Sequence, residues 1–315
     1  MKKTLTPSKL ALISMVFGLL LVSALFAGCT QSTTSTPATT VATTVPVTTV
    51  ATPVATATTA VPTKVVTTAT PAPTYTATQG NLVAYTAASL SGASPSIGSA
   101  FTAAYPGHKV VFNLDGTQAL KTQVEAGAYA DVFISASNAY TNTLKSENYF
   151  VNDSVKTLTT NYVIVILPAS NPANIKSLSD LAKPGVKIAM AASTVPVGTA
   201  TAAVINNSAN STYGQTWKTA VNKNVVTYET SEPSVATKVS LGEVDAGFVY
   251  QSTATAAAKG TYQSITIPKK DNYLQTYTIG ILKGSSNKAV AAEFEQFMLS
   301  SAGQQILAQY GFTSP

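Results

Sequence analysis

Val83-Ala84-Tyr85-Thr86-Ala87-Ala88-Ser89-Leu90 reads as a short buried strand running into a helix whose first turn begins at or just after Ser89. A strand that ends in serine at a helix start presents a hydroxyl and free backbone N–H groups together, the elements of an anion site. The junction recurs at Asn113-Leu114-Asp115-Gly116-Thr117-Gln118, where glycine lets the chain turn closely and Thr117 falls at the N-cap. Looser versions follow at Ser193-Thr194-Val195-Pro196-Val197-Gly198-Thr199 and at Ser231-Glu232-Pro233-Ser234, where Ser231 fits an N-cap and Pro233 the first turn. Taken singly, each is also what ordinary helix capping or an ordinary connector looks like, and periodicity does not show that they converge.

Around these junctions, residues 81–315 alternate short apolar runs with helical patterns, which argues for an α/β architecture with largely parallel sheets. Strands are predicted at 82–85, 109–113, 131–134, 162–167, 186–190, 225–228, 246–250, 264–267 and 277–282. Helices are predicted at 91–104, 118–126, 138–146, 177–182, 198–207, 212–222, 234–241, 253–259 and 288–309. The last is the longest, with Val290, Phe294, Phe297, Met298, Ile306 and Leu307 forming one apolar face.

Upstream, residues 1–28 begin with Lys2, Lys3 and Lys9, continue through an apolar run and end in Phe26-Ala27-Gly28-Cys29. That is a secretory signal with a lipobox-like end, which makes Cys29 the candidate lipidated residue; a retained membrane anchor is the competing reading. Firm anchoring would need more than one lipid chain. Residues 29–79 collapse to Thr, Ala, Val and Pro without one acidic residue, which reads as an extended, disordered stalk rather than a packed domain.

The chain of 315 residues carries a formal charge of +6. All nineteen basic residues are lysine; residues 81–315 hold fifteen of them and all thirteen acids, a balance of +2. The basic character therefore belongs mostly to the leader, and nucleic-acid binding finds no support. One histidine (His108, in a glycine-containing turn) and one cysteine leave little with which to build a Cys/His dyad, a zinc site or a Ser-His-Asp triad. Gly92-Ala93-Ser94-Pro95-Ser96 fails as a nucleophile elbow at its last position, and neither a Walker A motif nor G-x-G-x-x-G is present. Binding without turnover, and no cofactor, is the expectation.

Five segments taken in order are more specific than any one of them. They are Ala87-Ala88-Ser89-Leu90, Gln123-Val124-Glu125-Ala126-Gly127 with Ala130-Asp131-Val132-Phe133-Ile134-Ser135-Ala136, Val195-Pro196-Val197-Gly198, Thr237-Lys238-Val239 through Gly242-Glu243-Val244-Asp245-Ala246-Gly247-Phe248-Val249-Tyr250, and Tyr310-Gly311-Phe312. Across 81–312 the chain resembles the molybdate-binding proteins of ABC importers, periplasmic or lipid-anchored solute-binding components. The resemblance implies a type II periplasmic-binding-protein fold, with two lobes, each a mostly parallel sheet flanked by helices, and the ligand in the cleft between them. It places lobe one at about 80–163 and 278–315 and lobe two at about 164–277, with crossings near 161–168 and 268–280.

The resemblance also implies a ligand set: Ser89 and Thr117 as hydroxyl donors, Val197 as a backbone donor, Tyr250 as a phenolic donor and Glu232 at the remaining backbone-donor position. Glu232 replaces the family's usual apolar residue. Its carboxylate either points outward, favourably placed in a first helical turn, or contacts the ligand, as carboxylates do in a related archaeal class; Asp115 raises the same question. The missing arginine agrees with a fully deprotonated dianion such as molybdate, tungstate or sulfate, which needs only donors, whereas monohydrogen phosphate also brings a proton that needs a buried acceptor. The implied partner is an ABC permease at the outer face of the cytoplasmic membrane, the implied state a monomer. A binder of sulfate, phosphate or another oxyanion, and a surface protein without transport function, are the alternatives.

Overall fold

The computed structural model describes Tyr75 and residues 80–315. The expected signal at 1–28, Cys29 and the rest of the threonine-rich stretch to 79 lie outside the described residues; Tyr75 packs edge-on to Tyr85 with ring centroids 6.0 Å apart.

The opening stretch forms β1 (Asn81–Ala87), buried along nearly its whole length between β2 (Lys109–Asp115) and β3 (Val132–Ser135) and parallel to both. A strand with neighbours on both sides and helices over its faces reads as a continuous apolar run. The sheet then passes to β9 (Leu274–Ile281), antiparallel to β3, and to β4 (Lys156–Pro168), antiparallel to β9. Beyond β4 come β7 (Ala246–Tyr250), β5 (Ile188–Ala191) and β6 (Val225–Glu229), with β8 (Tyr262–Thr266) also paired to β4. β4 is the shared member. Its residues from Lys156 to Tyr162 pair with β9, whereas those from Val163 onward pair with β7 and β8. Thus the strands at the centre of each half run parallel, and antiparallel pairing occurs where the chain passes between halves.

The helices are α1 (Ser94–Ala104), α2 (Thr117–Glu125), α3 (Asn138–Ser146), α4 (Pro196–Ser208), α5 (Gly214–Lys223), α6 (Glu232–Ser240), α7 (Gln251–Ala256), α8 (Lys288–Leu299) and α9 (Ser301–Gln309). α1 and α8 pack through Phe101, whose ring lies edge-to-face against Phe294 at 5.1 Å and Phe297 at 5.7 Å. Such pairs add to the area they bury because ring edge meets ring face. Among the described residues no helix is long and apolar enough to cross a membrane.

Three sequence expectations are corrected. Ser89 does not open a long helix: Ala88–Leu90 is a 3₁₀ turn, and α1 starts only at Ser94 with Pro95 in its first turn. Proline inside a helix begun at 91 would remove a backbone bond and clash with the preceding turn, so the helix restarts around it. β4 begins at Lys156, six residues before the apolar signal, because its first half is threonine-rich. The hydroxyls of Thr159 and Thr160 there donate to the Thr313 carbonyl at 2.8 and 3.0 Å, securing the C-terminus. The predicted helix 288–309 is two helices broken at Ser300, which adopts φ −70°, ψ 164° and accepts from the Gly303 N–H at 3.3 Å. Gly303 permits this close turn, since a Cβ there would sit 2.4 Å from the Phe297 carbonyl oxygen.

Candidate functional site

The C-terminal ends of β1, β2 and β3 and the starts of α2, α4, α6 and α7 meet at one small cavity. Its walls are Ala87, Ala88 and Ser89; Gly116 and Thr117; Ala136; Val195, Pro196 and Val197; Glu232; and Tyr250. Its empty volume is about 230 Å³. The space suits a compact ligand. No lysine lines it, so any anion held there is held by hydroxyls and backbone dipoles.

Each wall residue has a local reason for its position. Thr117 is the first residue of α2, with Gly116 as N-cap, and not the cap expected from sequence. Its buried Oγ1 accepts from the Ala136 N–H at 3.1 Å, which leaves its own proton to donate. α4 starts with Pro196, which has no N–H, and Val197 follows with an N–H that helix geometry leaves without an intrahelical partner. Ser231 caps α6 as expected, accepting from the Ser234 N–H. Ser89 Oγ lies 2.8 Å from the Tyr277 hydroxyl, and the Ser89 carbonyl accepts from Ser252 Oγ at 3.2 Å.

Glu232 is not turned outward. It is buried, and its Oε1 accepts from the Tyr250 N–H and from Thr253 Oγ1, both at 2.7 Å. The carboxyl thus ties the end of β7 to the first turn of α7 and holds Tyr250 in place. Burial outweighs those two bonds and pushes its pKa from 4.5 up to about 7. Asp115 stands apart from the cavity walls, its Oδ1 folded back to accept from the Gly116 N–H at 2.7 Å. The Tyr250 hydroxyl donates to Gln275 Oε1 at 3.2 Å, and burial raises its pKa well above the ordinary value.

Of the residues singled out in the sequence, Ser89, Thr117, Val197, Glu232 and Tyr250 therefore share one cavity, and Asp115 does not line it. Sequence reasoning missed the supports behind them: Tyr277, Gln275, Asn161, Ser252 and Thr253. Only Tyr277 lay in a predicted strand, and nothing local marked its hydroxyl. Two hydrogen bonds also span the approach to the cavity, Gln118 Nε2 to the Thr230 carbonyl at 3.0 Å and the Tyr140 hydroxyl to the Thr194 carbonyl at 2.6 Å. Among the described residues no cluster of three His, Cys, Asp or Glu side chains is arranged to hold a metal cation.

Comparison with known proteins fits this geometry. The family model for bacterial extracellular solute-binding proteins matches residues 82–313. The molybdate-binding protein ModA of Mycobacterium tuberculosis H37Rv is 33% identical over 240 residues, covering 76% of this chain and 87% of that protein. Among solved structures, the substrate-binding domain of a putative molybdenum ABC transporter from Clostridium difficile is 28% identical with a TM-score of 0.58, covering 75% of this chain and 99% of that one. The periplasmic molybdate-binding protein of Azotobacter vinelandii shares the fold, with a TM-score of 0.65 at 22% identity over 74% of this chain and 99% of that one.

Proposed function

The chain belongs to the bacterial extracellular solute-binding protein family, and from its 33% identity to a molybdate-binding protein we propose that it captures molybdate, with tungstate as a close analogue, and delivers it to an ABC permease. It is a solute-binding protein and not an enzyme. The observation that carries the ligand assignment is a cavity scaled to a compact ion and walled by hydroxyls and helix starts, without a cation. A tetrahedral dianion that bears no proton needs only donors.

In this reading Ser89 and Thr117 donate from lobe one, residues 80–163 and 278–315. Val197 and Tyr250 donate from lobe two, residues 164–277, with the Tyr250 hydroxyl leaving Gln275 for the anion. The lobes close by a hinge, and the Gln118–Thr230 and Tyr140–Thr194 bonds support the closed arrangement. The protein acts as a monomer, exported and tethered through a lipid on Cys29 with residues 30–79 as the stalk.

One observation favours a second reading. The Glu232 carboxyl is a buried acceptor, which is what a hydrogen-bearing oxyanion such as monohydrogen phosphate requires. Calorimetric titration with molybdate, tungstate, sulfate and phosphate separates the two. Molybdate and tungstate are expected to bind tightly and phosphate weakly; the reverse order, or binding of none of the four, would sink the proposal. Ser89→Ala is expected to weaken molybdate binding by about 1–3 kcal/mol, the range for losing a hydrogen bond to a charged partner.

A further inference from the structure

The two hydrogen bonds across the approach to the cavity each tie one half of the sheet to the other. The sheet path runs from β2 at one end to β6 at the other, with β9 and β4 between the halves. Gln118 follows β2 and Thr230 follows β6, so the bond from Gln118 Nε2 to the Thr230 carbonyl, at 3.0 Å, joins the two outermost strands. Tyr140, on α3 after β3, donates from its hydroxyl to the Thr194 carbonyl at 2.6 Å, in the loop between β5 and α4. A carbonyl oxygen only accepts, so the direction of both bonds is fixed. None of the four residues lines the cavity, but Gln118 follows Thr117, Thr194 precedes Val195, and only Ser231 separates Thr230 from Glu232. Gly116 makes room for the first bond. Its φ of −57° and ψ of 137° suit any residue, so conformation does not demand glycine there. A Cβ would lie 2.4 Å from Gln118 Nε2 and 2.6 Å from Oε1, in the space that the amide occupies.

We propose that Gln118 and Tyr140 are latches that set how long a captured anion is held, without setting how fast it enters; the proposal rests on the hinged, anion-binding reading above. Other side-chain bonds between the halves lie on β4 itself, such as Asn161 Nδ2 to Ser252 Oγ and Asn272 Nδ2 to the Val163 carbonyl, both at 2.9 Å. A rotation about β4 and β9 displaces atoms in proportion to their distance from those strands, so bonds on β4 persist through an opening that breaks both latches. A bond made only in the closed form slows reopening and leaves the encounter with the ligand unchanged. The latches also hold the loops that lead into α4 and α6, and with them Val197 and Glu232 at the helix starts. Gln118 and Tyr140 are therefore positioning residues.

The test uses the full-length protein and its Tyr140→Phe, Gln118→Ala and double variants. Calorimetry gives the molybdate affinity, a chase of the loaded protein with excess tungstate gives the release rate, and the ratio of release rate to Kd gives the entry rate. Tyr140→Phe keeps the ring and loses only the donor; Gln118→Ala removes the amide. Each single variant is expected to release molybdate about three- to tenfold faster, the range for one neutral hydrogen bond. The double variant should show the product of the two factors, with the entry rate unchanged throughout. Release at the unmodified rate in either single variant would overturn the latch at that residue. So would an affinity loss carried by slower entry, because a residue that only supports its own half of the sheet acts on the open form as well. An unmodified protein that takes sulfate or phosphate and not molybdate counts against the molybdate reading, and the same rate comparison with that anion still decides the latches; binding of none of the four overturns both.

Discussion

Glu232→Gln is expected to bind molybdate about tenfold more tightly than the unmodified protein at pH 8, to match it near pH 6, and to lose its pH dependence between the two. The carboxyl lines the cavity, no lysine offsets it, and its pKa sits at about 7 because it is buried. Two negative charges on the ligand beside one on the protein, about 5 Å apart at an effective dielectric constant of about 20, repel by several kcal/mol. Protonating the group at pH 8 costs only about 1.4 kcal/mol per pH unit above its pKa, so the protein binds by taking up a proton. Affinity should then be level below pH 7 and fall about tenfold for each unit above it. Glutamine retains an oxygen for the Tyr250 and Thr253 donors and adds an N–H for the anion. Calorimetry from pH 6 to 9 decides the matter: a flat profile for the unmodified protein would show that the anion does not sense this carboxyl, and affinity that rises above pH 7 together with weaker binding by Glu232→Gln would show that the carboxylate is used in its charged form.

The same group affects stability in a defined direction. Its folded value lies above the ordinary 4.5, so between pH 4.5 and 7 the folded chain holds a proton that the unfolded chain has released. Stability from this source is greatest below pH 4.5 and declines through that window, by about 3 kcal/mol in all. Thermal unfolding of the ligand-free protein should show that slope, and Glu232→Gln should remove it.

What could be read in advance divides along a physical line. Val83–Leu90 announced itself because a strand buried on both faces must be apolar, and helix starts announce themselves through Ser, Thr, Pro and Gly. These are local signals, and they marked the junctions at Ser89, Thr117, Val197 and Ser231; that the junctions converge, and that Tyr250 joins them, came only from the family resemblance. The first half of β4 gave none: its threonines are satisfied by the C-terminal Thr313, 153 residues away from Thr160. The break at Ser300 was masked by an apolar stripe that continues through both α8 and α9. Glu232 was legible as an anomaly but not as a buried acceptor, because its partners Tyr250 and Thr253 lie 18 and 21 residues away. Tyr277 is 188 residues from Ser89, and only the assembled sheet puts their hydroxyls together.

The second large effect is expected at Gly198, the third residue of α4. Alanine in a helix is ordinarily favoured over glycine by about 1 kcal/mol. Here a Cβ would lie 2.1 Å from the Ala192 carbonyl oxygen and 2.6 Å from that of Ala191, and both are backbone atoms at the end of β5 that cannot rotate aside. Relief requires the start of α4 to lift away from the strand, carrying the Val197 N–H with it. Overpacking of this kind costs about 1–3 kcal/mol, enough to reverse the helix preference. At about 2–4 °C per kcal/mol for a domain of this size, Gly198→Ala should lower the melting temperature by several degrees. Its molybdate affinity should fall at least as far as that of Ser89→Ala, because a helix start is displaced and not one hydroxyl removed. Gly284→Ala, where a Cβ would meet nothing within 4 Å, is the matched control and should change neither quantity. A Gly198→Ala protein with the melting temperature and affinity of that control would mean that α4 can shift without disturbing the anion, and Val197 would then lose its place among the donors.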